Sequence, residues 1–186
     1  MGAGKSTALA ALERLGAATL STDAVVHELY AGDERLRAAV VERWGVEVAP
    51  GGVVDRAAVA RRAFADEQER RWLEALTWPL VGERVGEWLT QARTQRPAPR
   101  AAVVEVPLLF EAGMEGLYDA TVAVVAPEEL RRERAAARGH ELQGERTARQ
   151  LAQEEKARRA TFTVRNEGSE QELERKLSEV LEKLKR

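Results

Sequence analysis

Met1-Gly2-Ala3-Gly4-Lys5-Ser6-Thr7 opens the chain, and Gly4-Lys5-Ser6 reads as the closing half of a G-x-x-x-x-G-K-[ST] phosphate loop. Gly2 and Gly4 lack Cβ, so the backbone there is free to take positive φ and to approach an anion closely. Successive backbone N–H groups then converge on phosphate oxygens. Lys5 supplies a cation for the β- and γ-phosphates, and Ser6 supplies a hydroxyl for Mg²⁺. The helix expected from Ser6 to Leu15 carries Ala8, Leu9, Leu12 and Leu15 at helical spacing and stops at Gly16. Its positive end faces the loop. The plainer alternative is a flexible glycine-rich start that matches by chance, because the motif's first Gly would stand before Met1.

Outward from the loop, Ala17 to Leu20 is expected to be a short buried strand, with Ser21-Thr22-Asp23 at its C-terminal end. Ligands gather at such ends in open α/β sheets, which makes Asp23 a candidate for chemistry. The bland reading is a cap on the helix expected over Ala24–Tyr30. Asp33 and Asp55 are suited to cap two further helices, the second with Val59 and Phe64 on its apolar face. Val46 to Val54, around Pro50-Gly51-Gly52, reads as a turn between two extended pieces. Glu67 to Arg93 carries a long stripe that includes Trp72, Leu76, Leu80 and Trp88, and Pro79 is expected to kink or restart that helix. Residues 33–100 thus read as a helical lobe inserted between strands, its aromatics serving packing before base stacking.

Apolar strands recur at Ala101–Val106 and Thr121–Ala126. Glu105 in the first is a weak Walker-B-like signal, and Pro107-Leu108-Leu109-Phe110-Glu111 follows it. Pro127 suits the first turn of a helix in which Arg134 shares a face with Arg138. Residues 138–159 read either as a solvated basic face or as a lid whose arginines close over phosphates. Phe162–Val164 is a short strand, Asn166 stands in a turn, and Glu170–Arg186 carries the buried stripe Leu173, Leu177, Val180, Leu181 and Leu184. Strands alternating with helices imply a parallel sheet covered on both faces, the α/β class.

The 186 residues suit one domain with an inserted lobe. Hydrophobic residues at 44% and charged residues at 32% fit a globular chain, and a net charge of -2 gives no overall pull toward nucleic acid or membrane. The absence of Cys excludes disulfides and thiolate catalysis, and His27 and His140 show no metal-ligand spacing. No apolar run of membrane-spanning length appears, so a cytoplasmic location is expected.

The chain resembles the dephospho-CoA kinases, among the nucleoside-monophosphate-kinase-like P-loop proteins, over nearly its whole length. The residues that carry the likeness are Gly2 to Thr7, Leu15-Gly16-Ala17 leading to Thr22-Asp23, Asp55-Arg56 to Phe64, and Trp78-Pro79-Leu80-Val81. Val106 to Glu111, Arg134 with Arg138, Gln153 and Asn166 carry the rest. The resemblance implies a P-loop three-layer α/β sandwich with a parallel sheet. Its core would be 1–32, 101–137 and 160–186, with a helical substrate lobe at approximately 33–100 and a lid at approximately 138–159. It implies transfer of the ATP γ-phosphoryl to the ribose 3′-hydroxyl of dephospho-CoA, with ATP and Mg²⁺. The partner would be that small molecule alone, without nucleic acid or membrane, and the enzyme a monomer or weak homo-oligomer. Carried over by position, Asp23 is the catalytic carboxylate, and Lys5 and Arg138 stabilise the transferring charge. Gly2, Ala3, Gly4, Lys5, Ser6, Thr7, Arg134 and Asn166 bind ATP. Pro107, Leu108, Leu109, Glu111 and Trp78 bind the acceptor, and Ser6 is the Mg²⁺ ligand.

Ser21 stands where the family has the first Asp of Asp-x-Asp, His27 where it has Arg, Trp78 where it has His before Pro, and Thr161 where Asp is common. These changes bear on substrate recognition more than on phosphoryl transfer. In the family an apolar strand and the loop's first Gly precede the position of Met1, so the reading frame is expected to continue upstream for about ten residues. The alternatives are another small-molecule P-loop kinase or a nucleotide-binding protein without catalysis. No Asn-Lys-x-Asp guanine-reading signature is present.

Overall fold

The computed structural model describes residues 2–137 and 151–184. It divides into two units, Met1–Thr19 with Arg96–Arg186, and Leu20–Gln95.

The first unit begins with α1 (Lys5–Arg14) and the start of β1 (Ala18–Ser21). It resumes with β2 (Ala102–Glu105), β3 (Val122–Val125), α6 (Glu128–Ala136), α7 (Gln153–Arg159), β4 (Phe162–Arg165) and α8 (Glu170–Leu184). The expected α/β class with parallel strands is seen. Among the described residues β1 pairs with β2 and β3 with β4, and no ladder joins the two pairs. The second pair is parallel, from Val122 opposite Phe162 to Val125 opposite Arg165. A parallel pair requires a long crossover, and α6 lies within it. The pair is pinned at its start by two threonines. Thr121 N–H donates to Thr161 Oγ1 at 3.1 Å and Thr161 N–H donates to Thr121 Oγ1 at 3.0 Å. The hydroxyls thus satisfy backbone donors that a buried strand end would otherwise strand. The core joins Ala8, Ala11 and Leu12 of α1 to Val164 of β4 and to Leu173, Leu177, Val180 and Leu181 of α8. Of the stripe expected on the last helix, Leu173, Leu177, Val180 and Leu181 are buried, while Leu184 at the helix end is exposed.

The second unit is helical: α2 (Thr22–Gly32), α3 (Glu34–Trp44), α4 (Arg56–Ala65) and α5 (Glu67–Thr94). Its core gathers Val25, Leu29 and Tyr30 of α2 with Leu36, Val40, Val48, Val59 and Leu80. The unit therefore opens at Leu20, and α2 packs with the helices of the lobe. Asp33 accepts from the N–H groups of Arg35 and Leu36 at 3.0 and 3.1 Å, and Asp55 from those of Ala57 and Ala58 at 2.8 and 3.2 Å, so both cap as expected. Two local expectations, the extended pieces and the apolar placing of Phe64, fail, and a third at Pro79 is narrowed. Val46–Val48 and Pro50–Gly52 are single 3₁₀ turns, where extended pieces were expected; Gly51 and Gly52 take positive φ and let the chain turn twice. α5 does not restart at Pro79; Pro79 and Ala75, whose carbonyl receives no N–H from the ring, are both exposed, so water reaches that acceptor. Phe64 is 56% exposed on α4, outside the buried set of Ala58, Val59 and Ala63.

Asp33 predicts an acid-sensitive lobe. Burial alone would raise its pKa, but hydrogen bonds from Arg35 and from the backbone at Leu36 outweigh burial and hold it below the ordinary carboxylate value. Arg84 adds a second cation at 3.7 Å. A depressed folded-state pKa stabilises the fold above the unfolded-state value and loses that stabilisation as pH falls through the folded one. Asp33→Ala is expected to cost about 1 kcal/mol at neutral pH. That cost should begin to shrink as pH falls below about 4, the ordinary carboxylate value of the unfolded chain, and vanish as pH falls through the lower folded-state value. Urea melts of both proteins across that range check it; a cost independent of pH would contradict it.

Candidate active site

In the first unit the glycine-flanked start has the geometry of an anion cradle. Gly2 and Gly4 sit at φ 79° and 89°, where a side chain would strain the backbone. Space is equally restrictive: a Cβ on Gly2 would collide with the Arg131 carbonyl of α6, and one on Gly4 with Nδ2 of Asn166. Gly4 is the N-cap of α1, no side chain caps that helix, and Ala8 N–H closes the first turn on Gly4 O at 2.9 Å. Lys5, Ser6 and Thr7 form that turn, with Ser6 exposed. Asn166, 6% exposed, donates from Nδ2 to Ala3 O at 2.9 Å, and Arg134 Nη1 donates to Asn166 O at 3.2 Å. Gly2, Ala3, Gly4, Arg134 and Asn166 are thus brought together from three stretches of sequence.

The Pro107-Leu108-Leu109-Phe110-Glu111 run forms turns after β2, with Ala112 N–H donating to Leu108 O at 3.0 Å. Phe110 is buried, Pro107 and Leu109 are half-buried, and Leu108 is exposed. Glu111 is held by α7 and its approach: Lys156 Nζ lies 2.7 Å away, and Leu151 N–H donates to Glu111 Oε1 at 2.9 Å. Burial pushes the Glu111 pKa up, but the Lys156 bond and backbone donors outweigh it and hold the carboxyl below its usual range. Lys156 also donates to Pro107 O at 3.3 Å. Arg159 stacks 5.4 Å over the Phe110 ring and pairs with Glu115. Gln153 Oε1 accepts from Ala126 N–H at 2.9 Å. Sequence reasoning missed Lys156, Arg159 and Glu115. The one available signal was the i, i+3 spacing of Lys156 and Arg159, which puts both on one helix face.

In the second unit Asp23 is exposed in the first turn of α2. The helix starts at Thr22, and the N-cap position is Ser21, so the reading of Asp23 as the cap is corrected. His27 shares a hydrogen bond between its Nδ1 and Arg56 Nη1. The Arg56 guanidinium also lies 5.9 Å from the Tyr30 ring. Burial raises the Tyr30 pKa against the opposing pull of Arg56. Trp78 is 52% exposed on α5. Arg138 and residues 139–150 of the expected lid lie outside the described residues. Among the described residues no group of three or more His, Cys, Asp or Glu forms a cation cage, and no helix is long and apolar enough to cross a membrane.

The family profile described as dephospho-CoA kinase matches residues 1–172. A dephospho-CoA kinase of Deinococcus radiodurans is 41% identical, over 99% of this chain and 88% of its own. One of Anaeromyxobacter dehalogenans is 38% identical, over 98% and 87%. A solved protein of Thermus thermophilus superposes with a TM-score of 0.73 at 36% identity, over 99% of this chain and 93% of its own. Dephospho-CoA kinase from Campylobacter jejuni superposes at 0.70 with 22% identity, which speaks for the fold alone.

Proposed function

The chain belongs to the dephospho-CoA kinase family, and on that premise we propose how its residues perform the reaction. The activity is phosphorylation of dephospho-CoA by ATP to give coenzyme A, the last step of its synthesis. The observation that carries the residue roles is the start of α1: two positive-φ glycines around Ala3 lead directly into a helix that no side chain caps. That arrangement presents backbone N–H groups to an anion.

In this reading Gly2 to Thr7 cradle the triphosphate, and Lys5 and Arg134 add positive charge. Lys5 holds the γ-phosphoryl as negative charge shifts toward the bridging oxygen. Mg²⁺ typically takes one or two protein ligands and completes its shell with phosphates and water, so the exposed Ser6 hydroxyl suits it without a carboxylate cage. When bound it neutralises phosphate charge. Asp23 accepts the proton of the ribose 3′-hydroxyl as that oxygen bonds to the γ-phosphorus, the bond to the β-phosphate oxygen breaks, and ADP leaves. Arg138 closes from the lid and excludes water, the competing acceptor. Pro107, Leu108, Leu109, Glu111 and Trp78 are the residues this reading assigns to acceptor binding. The Glu111–Lys156 pair supports that role by fixing the 107–111 turns in place. The near-neutral charge fits a small-molecule enzyme of the cytoplasm, a monomer or weak homo-oligomer with neither nucleic acid nor membrane as partner.

The test is an acceptor panel with ATP. Dephospho-CoA is expected to exceed adenosine, AMP and shikimate by at least about 10²-fold in kcat/KM. Preference for AMP would make the chain a nucleotide kinase, and ATP affinity without turnover would leave a binding protein.

A further inference from the structure

The phosphate loop is gripped by side-chain and backbone groups that lie far away in sequence, and one grip has a directional consequence. Asn166 follows β4, where its own N–H donates to Val125 O at 2.8 Å and its own carbonyl receives Arg134 at 3.2 Å. Its backbone is therefore fixed on both sides. Its side chain is buried and donates from Nδ2 to Ala3 O at 2.9 Å, across 163 residues. In a planar trans peptide the carbonyl and the following N–H point in opposite directions. Holding Ala3 O toward Asn166 therefore turns the Gly4 N–H to the other side of the loop, away from Asn166. The same amide occupies the space a Cβ on Gly4 would need, so Gly4 and Asn166 require one another. The Arg131 backbone of α6 bounds the loop at Gly2.

We propose that Asn166 is a positioning residue for phosphoryl transfer. It orients the Ala3–Gly4 peptide so that the loop's N–H groups face the triphosphate, and it acts through the loop without reading the base. This rests on the reading of Gly2 to Thr7 as the triphosphate site. A residue that touched adenine would instead set the preference between nucleotides.

The experiment uses the full chain and inorganic tripolyphosphate, an anion without base or sugar, as a competitive inhibitor against ATP and against GTP. Asn166→Ala removes the donor. It is expected to weaken tripolyphosphate, ATP and GTP by one common factor of about tenfold, with the ATP to GTP ratio of kcat/KM unchanged. Asn166→Asp keeps the shape but, when ionised, sets a carboxylate against the Ala3 carbonyl. It should behave like Asn166→Ala at about pH 8 and recover toward wild type at about pH 6, because a buried carboxyl protonates readily and its O–H then donates to Ala3 O. All values are referred to wild type at the same pH, and Asn166→Ala should show no such recovery. A merely structural role gives no pH-dependent recovery confined to Asn166→Asp. Should Asn166→Ala fail to fold, the pH series on Asn166→Asp decides. A shifted ATP to GTP ratio with unchanged tripolyphosphate inhibition would overturn the proposal, as would a pH series without recovery. If wild type itself did not bind tripolyphosphate, the reading of the loop would fall and the proposal with it.

Discussion

Asp23→Asn is expected to slow phosphoryl transfer to dephospho-CoA by about 10²–10⁴-fold, the usual cost of losing a positioned base. ATP affinity should stay within about threefold, because the carboxylate serves the acceptor hydroxyl and not the triphosphate. The structure makes this a clean substitution. Asp23 is exposed in the first turn of α2, and the N-cap position belongs to Ser21, so the helix does not depend on the Asp23 carboxylate for its start. An exposed substitution of this kind should move stability by no more than about 0.5 kcal/mol. Loss of rate with an unchanged melting curve therefore speaks for chemistry. A variant that keeps more than about a third of the wild-type rate would remove Asp23 from the mechanism.

Lys5→Ala should weaken ATP binding and all but remove turnover together. Lys5 is the first residue of α1, directly after the positive-φ Gly4. In the proposed mechanism its ammonium serves the phosphates in the ground state and the charge that develops on transfer. Charge-assisted hydrogen bonds contribute about 1.5–3 kcal/mol, so ATP affinity is expected to fall roughly 10- to 10²-fold. The rate at saturation should fall by a further 10²–10³-fold or so, the typical cost of removing a charge stabiliser. Arg138→Ala offers the contrast: under the proposed role its guanidinium acts mainly on the transferring charge, so kcat should fall with a smaller change in ATP affinity. Titration calorimetry beside steady-state kinetics separates the two, and equal losses of binding in both variants would erase the distinction.

Local chemistry was legible in the sequence, and long-range pairing was not. Gly2 and Gly4 announced their positive φ because the motif needs it, and Asp33 and Asp55 announced their caps because Asp before a periodic segment has that use. The stripe from Leu173 to Leu181 identified a buried helix face. By contrast, nothing in the order of residues links Asn166 to Ala3 or Glu111 to Lys156, since those bonds depend on how distant segments fold together. The helix boundary at Thr22 was misplaced because Asp23 has the chemistry of a cap and Ser21 was not credited with the position. Pro79 was expected to kink or restart α5; the helix does not restart there, and the solvent-facing position of Pro79 leaves the unbonded acceptor to water. Phe64 fits a helical period but is largely exposed. Strand pairing was legible in part: alternation of strands and helices implies parallel strands, as β3 and β4 are, while the sequence does not say which strands are neighbours among the described residues.

The most direct test of the account is the fate of the transferred phosphoryl group. The protein would be incubated with ATP and dephospho-CoA, and the products followed by phosphorus NMR. The account predicts a new phosphomonoester at the ribose 3′ position, appearing in step with ADP and at the expense of dephospho-CoA. ADP accompanied only by inorganic phosphate, with dephospho-CoA unchanged, would contradict it.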